Sequence, residues 1–79
     1  MIYTVYVLRD DGGKFYKGLT SDIERRLNEH RSGGTRTTKK MSGLGVVYTE
    51  KYDNVKQARQ REKYLKSAAG RRFLKKKGL

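Results

Sequence analysis

Cysteine is absent from the 79 residues, so neither a disulfide framework nor a thiolate zinc site is available to staple the chain. Histidine occurs once, at His30, which makes a zinc centre improbable on a second count. Long apolar runs are missing as well. The longest, Val5 to Leu8, is far too short for a signal-peptide core or a membrane span. No helical stretch carries the large apolar residues of a membrane-surface peptide. A soluble, cytoplasmic chain without membrane contact is expected. Acid is scarce: eight Asp and Glu stand against twenty Lys and Arg, a net charge of +12. That exceeds the magnitude of about 2–8 that solubility asks of a small domain, and it favours a polyanionic partner, nucleic acid.

The charge is uneven. Residues 56–79 hold ten basic residues and one acid, whereas residues 1–55 hold ten and seven. The length allows one domain, 1–79, with a single core. Such a chain buries only about 60% of its unfolded surface, and its stability margin is about 4–12 kcal/mol.

"IYTVYVLR" is β-branched and aromatic with apolar residues on both faces, as a central strand requires. "DDGGK" supplies a turn and "KFYKGL" a second strand, so the two form a hairpin. Two adjacent glycines suit a three-residue loop, Asp11-Gly12-Gly13, whose last residue is left-handed. That loop pairs Tyr16 with Leu8 and places Tyr6 and Tyr16 on one face. A two-residue loop would pair Tyr16 with Val7 and separate the rings.

A helix is predicted from Ser21 to about Arg31, with Ser21 and Glu24 spaced as a capping box. "SGGTRTTKKMSG" reads as a basic loop and "GVVYTEKY" as a third strand. Asp53 or Asn54 caps a second helix running to about Ser67. Gly70 breaks the pattern, and "RRFLKKK" is a short last helix or a frayed tail. The expected fold is α+β: a three-stranded antiparallel sheet flanked by two to three helices, in the order β-β-α-β-α-α.

Both main helices carry charge where they should bury carbon. Ile23 and Leu27 begin an apolar stripe that Arg26 and His30 complete. Val55, Ala58, Leu65 and Ala69 form the stripe of the next helix, with Glu62 at its centre. Each misfit alone is the ordinary mark of a structural ion pair or a satisfied core histidine. Three together, unpaired, would cost several kcal/mol each, more than so small a margin absorbs. They must converge or face a wet cleft. A guanidinium forks onto phosphate oxygens, and one carboxylate can hold Mg²⁺ when substrate and water complete its shell. "GKFYKGLT" has the glycines of a phosphate-binding P-loop, but Leu19 stands in the lysine's place.

"TVY" at Thr4–Tyr6, "YKG" at Tyr16–Gly18, "ERRLNEH" with Arg26 and His30, and "ARQREKYLK" with Glu62 together resemble the GIY-YIG nuclease superfamily. The likeness is to its small single-domain bacterial members, similar to the N-terminal nuclease domain of UvrC. It implies the same small sheet flanked by helices, and a metal-dependent endonuclease acting on phosphodiester bonds of nucleic acid, DNA in a repair or recombination setting. A non-catalytic basic binding module on the same scaffold is the alternative. One divalent ion, Mg²⁺ or Mn²⁺, is implied, with Glu62 as its ligand.

By position, Tyr6 resembles the water-activating tyrosine and Tyr16 the orienting one. Arg26 resembles the arginine that steadies the pentavalent phosphate, and His30 the residue that polarises or relays for Tyr6. Gly18 would allow close backbone approach. Thr4 and Val5 replace the Gly and Ile of the first motif, and Lys17 replaces the Ile of the second. No counterpart is found for the asparagine that larger members carry after the glutamate helix. Lys17, Arg36, Lys39, Lys40, Arg59, Lys66, Arg71 and Arg72 are the expected backbone contacts. The missing recognition domain implies a protein partner that supplies substrate choice.

Overall fold

Tyr3–Arg9 forms β1, and Thr4 through Leu8 are all buried, as a strand covered on both faces demands. The computed structural model describes residues 1–32 and 43–79, and β1 is the middle of a three-stranded sheet ordered β2-β1-β3. Phe15–Thr20 is β2 and Gly45–Tyr52 is β3, each antiparallel to β1. Three helices, α1 (Ile23–Arg31), α2 (Val55–Lys66) and α3 (Ala68–Lys76), complete the β-β-α-β-α-α order. The expected fold class is therefore the observed one.

The hairpin takes the three-residue form. Leu8 pairs with Tyr16 and Arg9 with Phe15, and Gly13 adopts a left-handed φ of 83°. The Asp10 carboxylate braces the turn by accepting from the Lys14 amide at 2.7 Å.

Pleat alternation divides the core in two. Val5 and Val7 face α2 and α3, where they pack with Ala58, Leu65 and Leu74. Tyr6 and Leu8 face the other way, packing with Leu44 and with Tyr16, Ile23 and Leu27. The sheet is thus sandwiched between α1 and the α2–α3 pair. The pairing of β1 with β3 shifts register between Val7 and Leu8, and Val47 and Tyr48 both pack on the α2–α3 side.

Three local expectations need correction. Asp22, not Ser21, caps α1, its Oδ1 accepting from the Arg25 amide at 3.1 Å. A carboxylate at that position meets both the orphan amides and the positive helix end. Gly70 does not interrupt helix formation. It lies buried inside α3, where a Cβ would strike the Tyr64 carbonyl and the Leu65 Cα of α2. Ser67 ends α2 and caps α3, accepting from the Gly70 amide. Val55 is 42% exposed, so the buried stripe of α2 starts at Ala58. Of the two caps proposed for α2, Asn54 serves, accepting from the amides of Lys56 and Gln57. Most of the basic loop, with Arg36, Lys39 and Lys40, lies outside the described residues.

Glu50 anchors β3 to α2. Its carboxylate accepts from Arg61 at 2.8 and 3.0 Å, from Tyr52 at 2.6 Å and from Tyr48. Arg61 in turn lies 4.7 Å from the ring centres of both Tyr64 and Phe73. Burial alone would raise the Glu50 pKa, but the bonds from Arg61, Tyr48 and Tyr52 outweigh it and hold the value below 4.5. The stabilisation is therefore complete above the unfolded value and is lost as pH falls through the lowered folded one. Arg61→Ala, discounted for partial solvation, is expected to cost about 2 kcal/mol and to lower Tm by roughly 10 °C. Melting curves at neutral and acidic pH check both statements: the difference between wild type and variant shrinks in acid.

Candidate active site

Tyr6, Tyr16 and His30 meet under α1. Tyr6 and Tyr16 project from one sheet face, their rings 6.2 Å apart, because Tyr6 pairs with Gly18 and Leu8 with Tyr16. His30, on the last turn of α1, is 1% exposed and sits 4.6 Å from the Tyr16 ring and 5.8 Å from that of Tyr6. The Tyr6 hydroxyl and His30 Nε2 are 2.9 Å apart. Gly18 has no side chain for a direct reason. A Cβ there would lie 2.5 Å from the Tyr6 Cζ and hydroxyl, so the phenol crosses the edge strand at that residue. The close approach expected at Gly18 is made by Tyr6 itself.

Arg26 lies one turn before His30, half-buried at 35% exposure, close enough to Tyr6 and Tyr16 that both phenols favour its charged form. Its Nη1 is 2.9 Å from Glu29 Oε2. These neighbours, Tyr6 first, hold the guanidinium charged well above the ordinary arginine value. Glu29 was not singled out among the sequence candidates. Its i,i+3 spacing from Arg26 was the available signal, and its role is to aim the guanidinium.

Burial sets the protonation states of the pair beneath. It raises the Tyr6 pKa above 10.0, although Arg26 pulls the other way. Burial, then the Arg26 charge, lowers His30 below 6.5. At neutral pH the phenol is protonated and the imidazole neutral; Tyr6 donates to Nε2 when the ring proton is on Nδ1 and accepts from it when the proton is on Nε2. A phenol that acts as a base at neutral pH needs a pKa lowered from its ordinary value of about 10. The structure gives the opposite balance in the protein alone, because desolvation of a phenolate inside a core outweighs one adjacent guanidinium.

Glu62 arrives from α2, on the opposite sheet face from α1, yet its charge reaches Tyr6 and helps raise that pKa. The Glu62 side chain is 19% exposed, with Lys66 Nζ 3.5 Å from Oε2. Arg59 and Lys66 lie three residues before and four after it, on the same stripe of α2. Among the described residues no group of three or more His, Cys, Asp or Glu could hold a metal ion. A single accessible carboxylate nevertheless fits Mg²⁺ or Mn²⁺, which take one or two protein carboxylates and complete their shells with substrate phosphate and water.

The expected backbone-contacting residues divide. Lys17 lies near Arg71 and Lys66; burial first, then those two charges, lowers its pKa below 10.5. Arg59 is exposed on α2. Arg72 sits apart, beside Tyr64, Ala69, Phe73 and Lys76. Among the described residues no helix is long and apolar enough to cross a membrane.

This sheet, with Tyr6, Tyr16 and His30 packed together beside Arg26, defines a class. Residues 2–77 match the GIY-YIG catalytic domain, and the chain belongs to that family. Family membership implies a nuclease-type domain with nucleic acid as its ligand class. More particularly, its relatives are UPF0213 proteins. UPF0213 protein ORF82 of Orgyia pseudotsugata multicapsid polyhedrosis virus is 40% identical over 75 residues, covering 91% of this chain and 71% of that one. A UPF0213 protein of Halobacterium salinarum is 33% identical, covering 82% and 86%. The solution NMR structure of UPF0213 protein BH0048 from Bacillus halodurans superposes with a TM-score of 0.59 at 30% identity, over 94% of this chain and 82% of that one.

Proposed function

We propose that the chain is a metal-dependent endonuclease that hydrolyses phosphodiester bonds in DNA, of a repair or recombination type. The observation that supports this most is the packing of Tyr6, Tyr16 and His30 together beside Arg26, with the Glu62 charge reaching Tyr6.

The protonation states suggest a relay rather than a free phenolate. As water attacks phosphorus, the Tyr6 oxygen takes its proton while the phenolic proton passes 2.9 Å to His30 Nε2. Arg26, aimed by Glu29, forks onto non-bridging phosphate oxygens and meets the charge that grows in the transition state. Tyr16 orients the reacting phosphate by its hydroxyl. Glu62 would hold Mg²⁺ or Mn²⁺, which supplies Lewis-acid polarisation of the phosphoryl group and charge for the leaving oxygen. Arg59, Lys66 and Lys17 hold the backbone without reading bases. Selection of substrate then belongs to a protein partner.

Nicking of supercoiled plasmid with Mg²⁺ or Mn²⁺ tests the reading. Wild type cuts, Glu62→Ala does not, and Arg26→Ala slows cutting by about 10²–10³-fold. Salt-sensitive binding with no metal-dependent cutting would instead identify a basic nucleic-acid-binding module. Cutting that survives Glu62→Ala would belong to a contaminant.

A further inference from the structure

Outside the catalytic cluster, a hollow of about 250 Å³ opens between β2 and α3. Phe15, Leu74 and Leu79 give it an apolar floor; Lys17, Arg71 and Lys75 give it a cationic rim. Phe15 is 39% exposed although it is a large apolar side chain on an edge strand. Among the described residues, nothing acidic lines the hollow.

We propose that this hollow is a subsite for one unpaired nucleotide of a single strand, its base against Phe15 and its flanking phosphates on Lys17 and Arg71. Three features support it. Its volume is below the range of about 300–1,000 Å³ typical of sites for drug-sized molecules and suits a single base. An apolar, aromatic floor under a cationic rim is the chemistry of base stacking beside a phosphate backbone. A paired base keeps its ring faces inside the duplex stack, so only an unpaired one presents a face to Phe15.

The third feature is continuity. Lys66 acts on Lys17 and also lies 3.5 Å from Glu62. A strand with one phosphate at Glu62 therefore has a cationic path past Lys66 to Lys17 and Arg71. Burial and the neighbouring like charges already strain the ammonium of Lys17, and a phosphate at that point relieves both. The proposal rests on nucleic acid being the ligand, as the reading above has it, and not on cleavage.

Fluorescence anisotropy with chelator present removes cutting from the measurement. The probes are an oligonucleotide of about a dozen thymidines, the same length bearing abasic sites, and a duplex. Wild type is expected to prefer the base-bearing strand. Phe15→Ala is expected to weaken that binding by about 5- to 150-fold, to leave the duplex unchanged, and to add no loss on the abasic strand. Phe15→Trp keeps the preference and guards against a folding artefact, as do matched melting curves.

Equal loss on strand and duplex, no loss on either, or no penalty for abasic sites overturns the proposal. A wild type that shows the Phe15-dependent preference but cuts no plasmid keeps the subsite and removes the nuclease reading. One that cuts plasmid but ignores Phe15 does the reverse.

Discussion

Tyr6→Phe is expected to lower cleavage by about 10²–10⁴-fold and to flatten its dependence on pH. The hydroxyl is the junction of the site: Arg26 lies close to it, His30 Nε2 lies 2.9 Å away, and the Glu62 charge reaches it. Removing one oxygen breaks the proposed path from water to imidazole while the ring still fills the core, where Tyr6 is 1% exposed. In wild type, cleavage by the proposed relay is expected to fall as acid protonates His30, since an imidazolium cannot accept the phenolic proton. Its pKa lies below 6.5, from burial and then the Arg26 charge, so this loss comes below the ordinary histidine range. Stability moves in the same direction. The folded state resists protonation that the unfolded chain accepts, so His30's contribution is full above 6.5 and is lost as pH falls through the lowered folded value. Initial rates on a labelled substrate across acidic to neutral pH, with melting curves alongside, separate the two losses. A phenylalanine variant that keeps the wild-type rate and its acid limb would remove Tyr6 and His30 from the chemistry.

Much of this arrangement is legible in the chain, for physical reasons particular to each element. β3 is read as "GVVYTEKY" and spans Gly45–Tyr52, because β-branched and aromatic residues run between glycine and a capping Asx pair. The face shared by Tyr6 and Tyr16 is legible in the two adjacent glycines, which suit the three-residue loop whose last residue, Gly13, is left-handed. Arg26, His30 and Glu62 stand out because each interrupts an apolar period.

What stays hidden depends on contacts between elements. Glu50 shares a strand face with Tyr48 and Tyr52, but its partner Arg61 is placed by α2, and Phe73 flanks that guanidinium only once α3 folds back. Ser21 and Asp22 are both good caps, and local composition does not choose between neighbours. The direction of the Tyr6 shift is set by how deeply the phenol is buried, which periodicity does not report. Gly70 is the strongest case: its intrinsic preference argues against a helix, and only the approach of α2 explains its place in one.

Gly70→Ala should unfold the protein at markedly lower temperature, against the direction of helix propensity. Alanine is better than glycine in a helix interior by about 1 kcal/mol, so a purely local view expects the variant to be more stable. At Gly70, however, a Cβ would meet the carbonyl of Tyr64 and the Cα of Leu65, which are backbone atoms and cannot swing aside as a side chain can. Relief requires α3 to move off α2. Leu74 lies one turn further along the same face and is buried with Leu65 in the cluster that holds Val5 and Val7. Separation therefore opens the core as well as the corner at Ser67. Overpacking of this kind costs about 1–3 kcal/mol and sometimes more, and the rigid obstacle places Gly70→Ala at about 3 kcal/mol or above. Against a margin of about 4–12 kcal/mol that is a large share, equivalent to a fall in Tm of roughly 12–24 °C. The hollow between β2 and α3 shares Leu74 and Arg71 with the displaced helix, so affinity for single strands should fall with stability. Gly78→Ala is the matched comparison: its φ of 83° carries strain, but a Cβ there meets nothing within 4 Å, so its loss should be far smaller. Calorimetry of the two variants decides the matter. A higher Tm for Gly70→Ala would mean that α2 and α3 do not pack this closely in solution.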